Sequence, residues 1–88
     1  MSHDLQKIHD QEQANFFHNI RWLRQTYGIP KKHMARLLKI STKTLNRLEA
    51  GEMPALLSLN IYFHIQRYFS ISPKRLLGTR LDDSNFRN

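Results

Sequence analysis

The chain contains no cysteine, and glycine and proline occur only three times each among its 88 residues. Without cysteine there can be no disulfide, thiolate metal site or cysteine nucleophile, and we expect a protein of the reducing cytoplasm. Disordered and loop-rich chains carry more glycine and proline, whereas 40% of these residues are apolar. The composition therefore predicts one folded domain with a modest core.

Long apolar runs are also absent. The densest one, residues 55–69, is interrupted by several polar residues, so we do not expect it to span a bilayer. The polar start of the chain lacks the apolar stretch of a secretory signal. We therefore expect a domain at residues 14–78, between a polar N-terminal arm at residues 1–13 and a polar C-terminal tail at residues 79–88, with no membrane partner.

Acidic residues are scarce in the central segment, which we define as residues 18–51. It holds eight lysines and arginines but one acid, Glu49, whereas basic and acidic residues balance in the rest of the chain. The whole net charge of +7 therefore lies in the central segment. Such a concentration of positive charge indicates a surface for a polyanion, and nucleic acid is the first candidate. The alternative is a solvated cationic face without a ligand.

Apolar residues recur at helical spacing in five places, and no segment alternates as a strand does. We therefore predict an all-α fold, with Ser41 and Ser72 as caps of the third and fifth helices. The fourth helix is apolar almost all round, which favours burial between other helices or at a partner surface. The predicted helices span residues 14–27, 31–38, 42–50, 59–69 and 73–78.

The second and third helices are joined by a link too short for an antiparallel pair, so we expect them to cross steeply. On the third helix, Leu45 and Leu48 share the face to be buried. Lys43, Asn46 and Arg47 lie on the opposite face. Cationic side chains can donate to guanine, and an amide can pair with adenine, in the major groove of DNA. The alternative is an exposed helix with incidental charges.

The start of the third helix is suited to a phosphate group. Ser41 and Thr42 supply hydroxyl groups there, beside amide N–H groups that a helix leaves without partners. The helix dipole also favours an anion at this end. A third helix lying in the major groove would thus carry both base-reading and backbone-gripping groups.

Small, apolar and acidic residues follow a specific order between residues 20 and 78. They form four stretches, which are Ile20-Arg21-Trp22-Leu23-Arg24 with Tyr27-Gly28-Ile29, then Met34-Ala35-Arg36-Leu37-Leu38, then Ile40-Ser41 followed by Leu45, Leu48, Glu49 and Gly51, and finally Ile71-Ser72-Pro73 with Leu76-Leu77. In this order they resemble the phage-repressor type of helix-turn-helix domain, the lambda-repressor-like or XRE family. The resemblance implies a five-helix fold and binding to double-stranded DNA.

The same resemblance implies roles for single residues. Thr42, Lys43 and Arg47 would face base edges, whereas Lys31 and Ser41 would touch phosphates. We add two residues to the DNA-binding set. Lys32 points away from the apolar side of the second helix, and Asn46 lies on the outer face of the third helix.

The resemblance also implies a structural salt bridge. Arg24 and Glu49 match a partly buried pair that ties the first helix to the third in this family. Three positions depart from the family pattern. Pro30 stands where a serine or threonine cap is usual, Lys31 replaces a common glutamine, and Lys39 replaces the glycine that ends the second helix. If the backbone of Lys39 adopts the left-handed conformation, this lysine lowers the stability of the fold by about 1 kcal/mol relative to glycine.

Catalysis and metal binding are not expected. The five histidines, of which His3 is the first, lack ligand spacing, and no catalytic motif frames the serines and aspartates. Asp82 and Asp83 are interpreted as part of the tail. Neither a cofactor nor a small-molecule substrate is implied. Trp22, on the outer side of the first helix, is expected to lie against the N-terminal segment or else to anchor a partner.

These observations together predict a DNA-binding regulator of transcription, with repression as one mode of action. We expect a weak homodimer, whose contacts would come from the fourth and fifth helices, the termini or Trp22. The alternative from another class is an antitoxin or similar protein-interaction module that binds a partner protein through its flanks. Recognition of single-stranded RNA would need stacking aromatics on a basic face, which the central segment does not offer.

Overall fold

The computed structural model describes the backbone of residues 2–86 and the side chains of residues 5–86. This part of the chain contains five α-helices and no strand, which confirms the all-helical prediction. The bounds of α2 and α5 agree with those predicted, while α3 ends one residue earlier and α4 begins one residue later. The helices are α1 at Ser2–Thr26, α2 at Lys31–Leu38, α3 at Thr42–Glu49, α4 at Asn60–Phe69 and α5 at Pro73–Gly78.

The first helix is much longer than predicted. We expected it to begin near Ala14 after a polar arm, but α1 begins at Ser2, and only Met1 of that arm lies outside the described residues. The added turns consist mainly of residues with good helix propensity, and they are joined by hydrogen bonds between polar side chains one turn apart. Apolar periodicity missed them because their apolar side chains stay outside the core. Leu5 is 70% exposed and Ile8 is 57% exposed.

A three-residue turn joins α2 to α3. Lys39 adopts the left-handed conformation there, with φ 60° and ψ 40°. This is the conformation considered above for a residue in the family's glycine position. The Ile40 amide donates to the Ala35 carbonyl at 3.0 Å, which closes the end of α2. Ser41 then caps α3, as predicted, because its hydroxyl accepts from a backbone N–H in the first turn at 3.0 Å. The end of α2 and the start of α3 are therefore both set by hydrogen bonds between residues close together in the chain.

The core is built from one buried stripe of each helix. The α1 helix packs against both α3 and α5, and α2 packs against α3 and α4. Each large apolar side chain removed from water in this way stabilises the fold by about 1.5–3 kcal/mol. The described chain is compact, with a radius of gyration of 12.9 Å. The buried apolar residues are Phe16, Ile20, Leu23, Met34, Ala35, Leu38, Leu45, Leu48, Ile61, Ile65, Phe69, Ile71, Leu76 and Leu81.

Only one face of α4 is buried within the chain. Ile61, Ile65 and Phe69 enter the core, but Phe63 is 63% exposed, and Leu59, just before the helix, is 74% exposed. Burial of the whole helix between other helices, one of the two alternatives, is therefore wrong. Apolar composition shows which side chains favour burial, but not whether a neighbouring element exists to cover them. The other alternative, a partner surface, stays a prediction.

The residues after α5 pack onto α1 and do not form the free polar tail that we expected. Leu81 is completely buried. The buried Asn19 side chain donates to the carbonyls of Leu76 and Thr79 at 2.7 Å each and accepts from the Leu81 amide at 2.8 Å. This amide thus ties α1 both to α5, through Leu76, and to the C-terminal segment, which we define as residues 79–86. The last two residues of the predicted tail, 87 and 88, lie outside the described part.

The C-terminal segment also covers the outer side of α1. The rings of Trp22 and Phe86 meet edge to face, with centroids 5.0 Å apart. Of the two alternatives for Trp22, contact with the N-terminal segment is wrong, since that segment continues α1 along the helix axis. A role as an anchor for a partner stays a prediction. Aromatic pairs in this geometry stabilise by about 0.5–1.5 kcal/mol beyond their area burial.

Candidate nucleic-acid interface

The third helix presents two chemically different faces. Leu45 and Leu48 are 0% exposed, as predicted, and fix the orientation of α3 on the core. Lys43, Asn46 and Arg47 lie opposite at 100° per residue, and all three are exposed. This outer face combines two long cationic side chains with an amide that can both donate and accept hydrogen bonds. Its width, one helix about 10–12 Å across, is that of the DNA major groove.

Ser41 and Thr42 are exposed at the start of α3. The Ser41 hydroxyl is already engaged, since it accepts from the Thr44 amide and donates to the Thr44 hydroxyl, each at 3.0 Å. Its first role in the structure is therefore to cap the helix. A phosphate at this end would be held chiefly by the Thr42 hydroxyl and by the first amide groups of α3.

Lys31 and Lys32 are both exposed in the first turn of α2. Lys31 lines an open groove of about 450 Å³ together with Asn46, so the structure brings these two predicted residues together. The other predicted DNA-binding residues do not line this groove. Two further residues of its wall, Arg21 and Gln25, were not singled out from the sequence. Their spacing of one helical turn on the side of α1 away from the core could have indicated them.

Arg24 and Glu49 form the predicted ion pair between α1 and α3. The Arg24 Nε lies 2.6 Å from Glu49 Oε2, and the second contact, from a terminal nitrogen to Oε1, is 2.9 Å. The two side chains are only 15% and 7% exposed. Hydrogen bonding to Glu49 is the main reason that the pKa of Arg24 is raised above its ordinary value, against the opposing effect of burial. A bidentate pair of this kind fixes orientation as well as distance.

This ion pair leaves the surface of the central segment strongly positive. Glu49 is the only acid of the segment, and its charge is neutralised locally by Arg24. The remaining cations are all exposed, and no ion pair forms with any of them among residues 5–86. Positive potential from side chains of this number extends over about a Debye length, roughly 8–10 Å, at physiological salt. These cations are Arg21, Lys31, Lys32, Arg36, Lys39, Lys43 and Arg47.

No group of three or more histidine and acidic side chains that could hold a metal ion occurs among the described residues, a set that excludes the side chain of His3. None of the helices in residues 2–86 combines the length and apolar character needed to cross a membrane.

Comparison of the chain with protein-family models, with curated proteins and with solved structures finds no match in any of the three. The resemblance to lambda-repressor-like domains therefore rests on the residue pattern alone.

Proposed function

We propose that this chain is a sequence-specific double-stranded DNA-binding protein of the helix-turn-helix type, with α3 as its recognition helix. The observation that carries the proposal is the outer face of α3. Lys43, Asn46 and Arg47 are exposed side by side, opposite two leucines that are completely buried. Arginine and lysine pair with guanine, and asparagine with adenine, at the major-groove edges of the bases.

The surrounding residues support a role in gripping the DNA backbone. Lys31 and Lys32 at the start of α2, with Ser41 at the start of α3, are exposed and would meet phosphates on either side of the groove. Thr42 is also exposed and keeps both expected roles, a phosphate contact at the helix start or a base-edge contact. Arg21 joins them on the wall beside α3. Contacts of this kind set orientation and affinity, whereas the outer face of α3 would set sequence preference.

Two local features support membership of the lambda-repressor-like family. The ion pair that this resemblance implies, Arg24 with Glu49, is formed at 2.6 Å. Lys39 has the positive φ that suits the glycine usual at its position. The ion pair depends on the relative placement of α1 and α3, so it is a stricter criterion than helical content.

Regulation of transcription is the use that we propose for this DNA binding. A bound copy would occlude a promoter or recruit another protein to it, and repression by occlusion is the simpler of these mechanisms. Neither needs a cofactor or a small-molecule substrate, and both place the protein in the cytoplasm with the DNA.

Selection of bound duplexes from a random pool tests the proposal directly. We expect enrichment of a motif with twofold symmetry, because repressor-type domains bind paired half-sites about one DNA turn, roughly 34 Å, apart. A pool that shows no enriched sequence, although binding is measurable, would reduce the proposal to nonspecific DNA binding. A pool that shows no binding at all at low salt would overturn it.

A second candidate is a protein-interaction module such as an antitoxin, and one observation favours it. The first half of α1 exposes Leu5 and Ile8, and Ile8 lines a groove together with Leu77 of α5. A partner protein could bury these side chains. A stable complex with a partner that forms through this groove, together with weak affinity of the chain alone for DNA, would favour this function over the first.

A further inference from the structure

The surface around the start of α4 differs in charge from the rest of the chain. Residues 53–66 contain no lysine, arginine, aspartate or glutamate, although 24% of all residues in the chain are charged. Four large apolar side chains of this stretch are exposed. They are Met53 at 39%, Leu56 at 95%, Leu59 at 74% and Phe63 at 63%. We call these four residues the α4 patch.

Two members of the α4 patch share one side of the helix. Leu59 and Phe63 are four residues apart at the start of α4 and therefore lie on the same side, one turn above the other. That side is opposite to the buried face formed by Ile61, Ile65 and Phe69. Large apolar side chains that are exposed on the same side of a helix, as Leu59 and Phe63 are, are typical of a protein contact.

We infer that the occupant of the α4 patch is a second copy of this chain, related by a twofold axis. The charge distribution is the reason. Two copies that each carry +7 repel one another wherever the central segments approach. An uncharged apolar patch can face its own copy without that repulsion, and apolar surface is complementary to itself, as a twofold contact requires. An acidic partner protein would instead be drawn to the central segment.

The positions on α4 define a simple pairing. If two α4 helices cross antiparallel about the level of Ile61, Leu59 of one copy faces Phe63 of the other, and this contact is made twice. Arg67, the nearest charged residue on the exposed side, then lies about 9 Å from the axis along the helix, at 1.5 Å per residue. The two arginines are about 18 Å apart, which exceeds the Debye length of about 8 Å at physiological salt.

This pairing would be weak by itself. Four side chains per copy are far fewer than the roughly 20–30 residues that each partner contributes to a standard interface. We expect a dissociation constant on the order of 10–100 µM without DNA. The pairing does not require DNA. Its use would be to present two α3 helices to two segments of the major groove, and this use rests on the proposed function.

Sedimentation of the full chain without DNA, over two decades of protein concentration, tests the inference. The wild-type chain should pass from monomer to dimer, and Leu59→Glu or Phe63→Lys should each weaken pairing about tenfold or more. Ile8→Gln is the matched control for Leu59 and Phe63, because Ile8 is exposed to a similar degree but lies on α1. It should pair as the wild type does. Circular dichroism shows whether each variant has kept its helices.

A mixing experiment identifies the geometry. In an equimolar mixture of Leu59→Glu and Phe63→Lys chains, each mixed dimer places the new glutamate of one copy opposite the new lysine of the other. We therefore expect the mixture to pair more tightly than either variant alone, which simple loss of folding would not produce. A mixture that pairs no better than its components would overturn the antiparallel pairing.

The remaining outcomes also decide the question. A wild-type chain that stays monomeric at every concentration would overturn the inference and assign the α4 patch to some other protein. Pairing that Ile8→Gln abolishes and Phe63→Lys leaves intact would overturn it in favour of the first half of α1. Neither result bears on DNA binding. A chain that pairs as expected but binds no duplex would refute the proposed function and leave the inference about pairing intact.

Discussion

The helices α3 and α4 have similar inner faces and opposite outer faces. Each is short, and each is held on the core by aliphatic or aromatic side chains that are almost fully buried. The outer face of α3 carries lysine, asparagine and arginine, whereas the outer face at the start of α4 carries leucine and phenylalanine. Since the core constrains only the inner faces, the outer faces are free to differ, and their difference indicates what each helix contacts.

The two helices also differ in how they are anchored. Both use apolar packing, but α3 is additionally joined to α1 by the Arg24–Glu49 ion pair. No ion pair ties α4 to another element within residues 5–86. A helix that positions base-reading side chains needs its rotation fixed closely, because small displacements in the groove remove hydrogen bonds. A helix that offers an apolar patch tolerates more variation.

The largest expected effect concerns this anchor. Arg24→Ala leaves the Glu49 carboxylate, 7% exposed, without its partner, and should lower the free energy of unfolding by about 3–5 kcal/mol. Urea denaturation measures the change. Arg21→Ala removes the same side chain one turn earlier in α1, where it is exposed, and should change stability by no more than about 0.5 kcal/mol. Equal losses in the two variants would show that α3 does not depend on the ion pair.

The next effect separates the two outer faces by their response to salt. Affinity for duplex DNA should fall on the order of a hundredfold or more between about 50 and 200 mM salt, because phosphate contacts release counterions. Pairing through the α4 patch should change little or strengthen over the same range. Salt does not weaken apolar contact, but it does screen the repulsion between the two positively charged copies. Binding titrations and sedimentation at both salt concentrations measure the two responses. A flat DNA affinity would contradict the comparison.

A smaller effect distinguishes base reading from backbone gripping. Arg47→Ala should weaken binding to the best operator by about 1–3 kcal/mol and relax preference at one or two base pairs. Lys31→Ala should weaken binding to all duplexes alike and reduce the slope of log affinity against log salt by about one. Both side chains are exposed, so both variants should stay folded.

Titrations on the operator, on a scrambled duplex and on single-base variants measure this difference. If Arg47→Ala lowers affinity for the operator and for the scrambled duplex equally, the outer face of α3 does not read bases.

The smallest effect compares the C-terminal ends of α2 and α4. Lys39 and Ser70 are both left-handed, with φ of 60° and 57°. Lys39→Gly and Ser70→Gly should therefore each raise the free energy of unfolding by about 1 kcal/mol. Only Lys39→Gly removes a cation from the central segment, so only this variant should also reduce the salt slope of DNA binding. A loss of stability in either variant would show that its side chain contributes more than the strained backbone costs.

The elements that could be predicted are those defined by neighbouring residues. Caps, turn positions and apolar spacing lie within a few residues of the helices that they bound, and they gave α2, α3 and α5 to within one residue. The two faces of α3 followed from the same spacing, because Leu45 and Leu48 determine which side of the helix is left for Lys43 and Arg47. The Arg24–Glu49 contact was predicted only through the family resemblance, since the partners are far apart in the chain.

The sequence alone determined the all-helical class, the bounds of α2 and α3 to within one residue, and the location of all net charge in residues 18–51. Periodicity, capping and charge are local properties. Only the tertiary structure decided which apolar and polar groups are covered. It placed Asn19 under the C-terminal segment, set Phe86 against Trp22, and left Leu59 and Phe63 exposed. Burial depends on residues that the fold brings together from distant parts of the chain, and the spacing of apolar residues within one helix cannot predict those neighbours.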